Sequence, residues 1–179
     1  MKILKKILIA LVSIVALALI IALFIKKEYA VEREIVINKP RMEVFGYLKL
    51  LKNQDHFSVW ATMDPNMIKE YKGTDGTIGF VSTWDSKEKN VGKGEQEIKK
   101  ITEGERLDFE LRFIKPFEAT DNAYMITETI NETQTKVKWG FNGKMNYPMN
   151  MMLLCMDMDK MLGNDLQTGL NNLKNVLEK

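Results

Sequence analysis

Two short stretches constrain the fold of this chain more than any others. In "RLDFELRF" (106–113), Leu107, Phe109, Leu111 and Phe113 alternate with Asp108, Glu110 and Arg112. In "TKVKWGFNG" (135–143), Val137, Trp139 and Phe141 alternate with Lys136, Lys138 and Asn142. Successive side chains of a strand point to opposite faces, so such alternation predicts strands with one face buried and one wet. That is the pattern of an antiparallel sheet covered on a single side. Further strands are expected at Met67–Tyr71, Gly79–Trp84, Val91–Ile101, Leu107–Phe113, Glu118–Ile130 and Thr135–Met145. Turn-forming residues separate them, at Gly73–Gly76, Asp85–Asn90, Thr102–Gly104 and Asn131–Gln134. An earlier strand is expected in "YAVEREIVINKP", where Val31, Arg33, Ile35 and Ile37 share one face.

Helices are marked by a different period. Val44, Phe45, Leu48 and Leu51 predict an amphipathic helix over 40–51, opened by Pro40 with Glu43 in its first turn. At the C-terminus Leu162, Leu166, Gly169, Leu170, Leu173 and Leu177 form one stripe suited to covering the sheet, and Gly169 leaves room on it for close approach or for a ligand. Strand, helix, irregular stretch, six strands and a long helix make an α+β arrangement.

The N-terminus belongs to another class. Ile7–Ile25 is nineteen residues in which Ser13 alone is polar. As a helix it reaches about 28 Å, close to the hydrocarbon thickness of a bilayer. Lys2, Lys5 and Lys6 precede it and Lys26 and Lys27 follow, placed to reach the headgroups on either side. Ala16-Leu17-Ala18 has the form of a cleavage site, so a removed signal peptide is the competing reading; the apolar run is longer than signal peptides need. Residues 1–28 are therefore expected to be a single transmembrane anchor and 29–179 a separate domain. The lysine bias favours an extracytoplasmic domain only weakly.

Setting the anchor aside changes the charge. Residues 1–30 hold five lysines and one glutamate, so the remainder keeps 21 basic and 23 acidic side chains, a net of −2. No basic field is left to attract a phosphate backbone, and nucleic-acid binding is not expected.

The chemistry-bearing residues are sparse. His56 is the sole histidine and Cys155 the sole cysteine, the latter reading as a small core residue. Neither has a partner for a nucleophilic triad or a zinc site, so no catalytic residue, metal or cofactor is assigned. "VGKGEQ" lacks the third glycine of a dinucleotide fingerprint and opens a strand; Gly92 and Gly94 instead mark a bulge. Glu95, Glu97, Glu110 and Glu128 lie on expected strands, either as outer-face charges or as pocket carboxylates with raised pKa.

Aromatic residues carry the better signal. Trp84, Phe113, Phe117, Trp139, Phe141 and Tyr147 fall on inward positions or just past strand ends. Together they supply broad apolar surface suited to a partly hollow interior. The tract "NYPMNMMLLCMDMDKML" (146–162) holds six of the twelve methionines. Read as a helix, it places Met149, Met152 and Met156 on one face, as core filling or as an adaptable pocket lid. Copper(I) is disfavoured because residues two apart on a helix diverge by about 200°.

The motifs "VEREIVINKP…VFGYL", "VGKGEQEI", "FIKPFEA", "TKVKWGFNG" and "GNDLQTGLNNLKNVLE", in this order over residues 29–179, resemble the START/Bet v 1-like (SRPBCC) superfamily. More narrowly they resemble its membrane-anchored, polyketide cyclase/dehydrase-like bacterial members. The resemblance implies a helix-grip fold, a curved seven-stranded antiparallel sheet wrapped around the C-terminal helix with an apolar pocket between them. Relatives often carry two tryptophans in the irregular segment; here Phe57 stands at the first position and Trp60 at the second. The expected ligand-contacting residues are Trp60, Trp84, Phe113, Phe117, Trp139, Tyr147, Met149, Met152 and Met156. The implied function is a membrane-tethered binding module for a hydrophobic small molecule or lipid. The alternatives are a cyclase- or hydrolase-like enzyme using a pocket carboxylate, and a structural or regulatory domain whose interior is filled by its own side chains.

Overall fold

A computed structural model describes residues 2–179. Seven strands, β1 (Glu28–Ile37), β2 (Ile68–Lys72), β3 (Val81–Asp85), β4 (Lys93–Thr102), β5 (Arg106–Lys115), β6 (Ala119–Asn131) and β7 (Gln134–Lys144), form one antiparallel sheet in the order β1-β7-β6-β5-β4-β3-β2. Each strand from β2 to β7 pairs with its successor, so local turns build six strands as a meander. Only β1 crosses over, to pair along its whole length with β7 (Glu28 opposite Lys144, Ile37 opposite Thr135).

The alternation of side chains sets the two faces. Leu107, Phe109, Ala123, Met125, Val137 and Trp139 are buried on the inner face. Arg112 gathers Glu95, Glu97 and Glu110 on the other face, and Lys138 meets Glu128 at 2.7 Å. The expected bulge is present as a register shift between Lys93 and Gly94, and a second lies between Ile98 and Lys100. Gly92 has φ +64°, and a Cβ there would stand 2.2 Å from the Lys115 carbonyl oxygen, so a side chain would force β4 away from β5.

Helix α1 (Lys2–Ala22) is the apolar segment, 21 residues and about 31 Å long. It is long and apolar enough to cross a membrane. α2 (Arg41–Lys49) buries Val44, Phe45 and Leu48. The irregular stretch contains a 3-10 turn (Leu51–His56) and a one-turn helix, α3 (Val59–Thr62), which period-based reading does not reveal. α4 (Met158–Leu177) buries Gly163, Leu166, Gly169, Leu170 and Leu173. These merge with the sheet's inner side chains into a single core. Arg33, the one charged residue on the inner face of β1, is explained by α4: its guanidinium takes both carboxylate oxygens of Asp159, at 2.8 and 2.9 Å, over Gly163. The sheet and its gripping helix match the Bet v 1-like architecture expected from the sequence.

The methionine tract departs from the expected continuous helix. Met149–Leu154 is a 3-10 turn, and α4 starts only after Asp157, whose carboxylate accepts the Lys160 backbone N–H at 2.9 Å. That cap starts a separate helix and leaves Met149 and Met152 off the α4 stripe. Cys155, expected in the core, lies in the break and is exposed.

Candidate functional site

Between the inner face of the sheet and the α3–α4 side lies a cavity of about 360 Å³. That is within the range of small-molecule sites. It exists because α4 packs mainly on β1 and β7, whereas the β3–β5 half of the sheet is faced by the short α3 segment.

Trp139 forms part of its wall. The indole is 5% exposed, and Phe57 and Trp60 meet it edge-on with centroids at 5.6 and 6.0 Å. Thus both aromatic positions of the irregular segment converge on one ring. Gly169 of α4 lies directly against that ring, and a Cβ there would come within 2.6 Å of Trp139 Cζ3. The room left by Gly169 is therefore filled by indole. A second aromatic pair, Trp84 and Phe113, stands at 6.0 Å and 75° across β3 and β5. Trp84 lies close over Gly94 and donates Nε1–H to the Val91 carbonyl at 3.2 Å. Phe141 stacks on Tyr29 at 6.2 Å and closes the β1 side.

Of the residues expected from sequence, Trp60, Trp84, Phe113, Phe117 and Trp139 line this cavity. Tyr147, Met149, Met152 and Met156 do not; the first three are exposed outside it, in the segment between β7 and α4. Glu95, Glu97, Glu110 and Glu128 also lie outside the cavity, paired with Arg112 or Lys138. His56 is exposed.

Several polar residues in the wall were not singled out by the sequence. Asp121, only 6% exposed, is the buried carboxylate of the wall. It accepts the Lys144 backbone N–H at 2.9 Å. Burial nevertheless pushes its pKa above the ordinary carboxylate value, against that hydrogen bond. Burial, and then the nearby Asp121 charge, push the Tyr29 phenol up to about 12. Asp55 is tied to Lys69 at 2.8 Å and to the Tyr71 hydroxyl at 3.0 Å. Gln54 brings a buried Nε2 to the wall with no partner among the described residues. A signal for Asp121 was present: it shares strand phase with Ala119, Ala123 and Met125, an acid on an apolar face. Nothing local marks Gln54.

The cavity reaches the surface at one end of the sheet. Lys89, Asn90, Lys115, Pro116 and Phe117 line it there and are all exposed. A ligand can therefore reach the aromatic interior between the β3–β4 connection and the β5–β6 hairpin.

No protein-family model and no curated protein matches the chain in sequence. Solved structures do match in fold. Ara h 8.0201 superposes with a TM-score of 0.57 at 14% identity, over 84% of this chain and 97% of its own. A protein of Nitrosospira multiformis gives 0.57 at 14% identity, over 83% and 96%. A Helicobacter pylori protein gives 0.61 at 12% identity, over 83% and 87%. At this identity the likeness speaks for architecture alone, and the architecture of this chain is the Bet v 1-like helix-grip fold.

Proposed function

We propose that residues 1–28 anchor the chain in a membrane and that residues 29–179 hold a hydrophobic small molecule or lipid in the cavity between sheet and α4. The observation that carries the proposal is the cavity wall itself. Trp60, Trp84, Phe113, Trp139 and Phe141 present aromatic surface to empty space instead of to one another alone. A domain that needed only a stable core would close such a gap, because void surface forfeits dispersion contacts. Apolar surface predominates in the wall, with polar side chains such as Gln54, Asp55, Lys69 and Asp121 set into it, which suits a mostly apolar ligand that also carries hydrogen-bonding groups. The sequence resemblance to membrane-anchored cyclase/dehydrase-like proteins supports the same reading. Lys2, Lys5 and Lys6, ahead of the apolar run, favour an extracytoplasmic domain only weakly, because Lys26 and Lys27 follow it.

Native mass spectrometry of the detergent-extracted full-length protein tests the binding function. A discrete co-purifying small molecule, displaced by an apolar fluorescent probe, is the expected result. Protein that carries no added mass and binds no such probe would sink it. Fractionation tests the anchor: full-length chain with an intact N-terminus in the soluble fraction would refute it.

One observation favours a second reading. Asp121 is a buried wall carboxylate whose pKa burial raises above the ordinary carboxylate value, which makes it a stronger proton acceptor than an exposed carboxylate. A cyclase- or hydrolase-like enzyme would use it so. If Asp121→Asn accumulates an unconverted bound molecule where the wild type holds a converted one, the enzyme reading replaces simple binding.

A further inference from the structure

The methionine turn is unused by the cavity reading, and it lies with the Phe117 hairpin at the sheet end from which α1 emerges. We propose that this end of the domain is a bilayer-docking surface, so that the cavity mouth is seated against the lipid headgroup layer. The inference rests on α1 being a membrane anchor and goes beyond it, since a tether alone leaves the domain free to tumble.

Three observations remove that freedom. First, the anchor end is clamped. Asn150, fully buried within the 149–154 turn, donates Nδ2–H to the Ala22 carbonyl at 2.7 Å and to the Ile25 carbonyl at 3.0 Å. The Ala22 carbonyl is one that the end of a helix leaves unpaired, and Ile25 lies just past that end. The clamp also accounts for α1 ending at Ala22, short of the apolar run's limit at Ile25. Ala22 itself is completely buried. Second, the connection has no slack. The Met145 N–H donates to the Lys27 carbonyl at 2.8 Å, and Glu28 already pairs with Lys144 in the sheet. Third, the same end carries apolar side chains with nothing to cover them. Phe117, at the tip of the β5–β6 hairpin, is 72% exposed; Leu154 is 63% exposed; Tyr147, Met149 and Met152 are exposed as well.

These groups lie at the end of the sheet where the anchor exits. Asp121, four residues past Phe117, accepts a hydrogen bond from Lys144, whose partner is Glu28. β6 is two places from β1, so the hairpin base stands about 10 Å from the start of the sheet. Lys26, Lys27, Lys115 and Lys144 are exposed around it. Aromatic and aliphatic side chains ringed by lysines match the interfacial zone of a bilayer, where rings bury and ammonium groups reach the headgroups. At the opposite end of the sheet the β6–β7 turn is polar, Asn131-Glu132-Thr133-Gln134. The partner is therefore the lipid surface in which α1 is embedded. Because Phe117 and Lys115 also line the mouth, an apolar ligand would pass between bilayer and cavity without crossing water.

Depth-dependent quenching of the full-length protein in phosphatidylcholine vesicles tests this. In a Cys155→Ser background, single cysteines replace Phe117, Leu154, Thr133 or Ile14 and carry a small fluorophore; the vesicles contain lipid with a shallow nitroxide quencher, or with one deep in the acyl chain for position 14. Quenching at 117 and 154 severalfold above that at 133, together with quenching at 14, is expected. If 117 and 154 are no more quenched than 133 while 14 is quenched, docking is overturned and the anchor stands. If 14 is also unquenched, the anchor reading itself fails and docking falls with it.

Discussion

Gly169→Ala is the sharpest probe of how the cavity wall is built. The new methyl group would lie 2.6 Å from Trp139 Cζ3, well inside the 3.4 Å at which ordinary contact begins, while its other near neighbour, the Phe57 carbonyl oxygen, is at a tolerable 3.5 Å. The conflict is thus with one ring. The indole can relieve it only by moving toward the cavity or away from Phe57 and Trp60, and forced repacking of this kind costs about 1–3 kcal/mol. Against that, alanine inside a helix gains about 1 kcal/mol over glycine. The net expectation is a loss of about 1 kcal/mol, or roughly 2–4 °C in melting temperature for a domain of this size. The sign should reverse when the ring is gone. In a Trp139→Leu background the same substitution is expected to stabilise by up to about 1 kcal/mol, giving a coupling energy of about 2 kcal/mol between the two sites. Urea unfolding of the four full-length proteins in detergent, followed by far-ultraviolet circular dichroism, measures the cycle. Affinity for an apolar probe should fall in Gly169→Ala alone, because the displaced indole occupies ligand space. An equal effect of Gly169→Ala in both backgrounds would refute the wall geometry.

Trp139→Ala removes a side chain that is 5% exposed and touches Phe57, Trp60 and Gly169; a loss of about 3 kcal/mol, the low end for such truncations because one side of the ring already faces a void, should appear in the same unfolding assay, and an unchanged melting temperature would show the ring is not buried. Asp121→Asn should have a pH-dependent effect: burial raises the folded-state pKa, so the wild type's contribution from this proton is complete below the unfolded value of about 3.9 and is lost as pH rises through the folded value. Asparagine keeps an acceptor for Lys144 without the charge, so the variant should melt above wild type at pH 8 and lose that advantage in acid; a pH-independent difference would count against it. Arg112→Leu leaves Glu95, Glu97 and Glu110 facing one another on the outer face. It should lose on the order of 1 kcal/mol, less at high salt. Because Arg112 holds the Glu97 pKa below its ordinary value, that loss should fade as pH falls through the folded Glu97 value; melting curves across pH and salt would show it, and a salt-independent loss would contradict it.

The strands within residues 28–144 were legible in the chain itself. Strand period is a local property, so the alternation in 107–113 and 135–143 determined both the strands and their faces before any partner was known. The apolar run at 7–25 and the leucine stripe of α4 are of the same local kind. The tertiary structure decided what those faces meet. Arg33 looked misplaced on an apolar face until α4 brought Asp159 to it from 126 residues away. Trp139 and Leu107 carry the same strand signature, yet only the first borders the cavity: β5 lines it through Leu111 and Phe113, toward the other end of the strand, while Leu107 is closed into the core. The methionine tract misled for a related reason. Helical period placed Met149, Met152 and Met156 on a pocket lid, but Asp157 caps a new helix, and buried Asn150 ties the preceding turn to the end of α1. A side chain that joins residue 150 to residues 22 and 25 leaves no periodic trace in the sequence. Its value depends on two carbonyls at and just past the end of a helix, and only the folded chain brings them within reach.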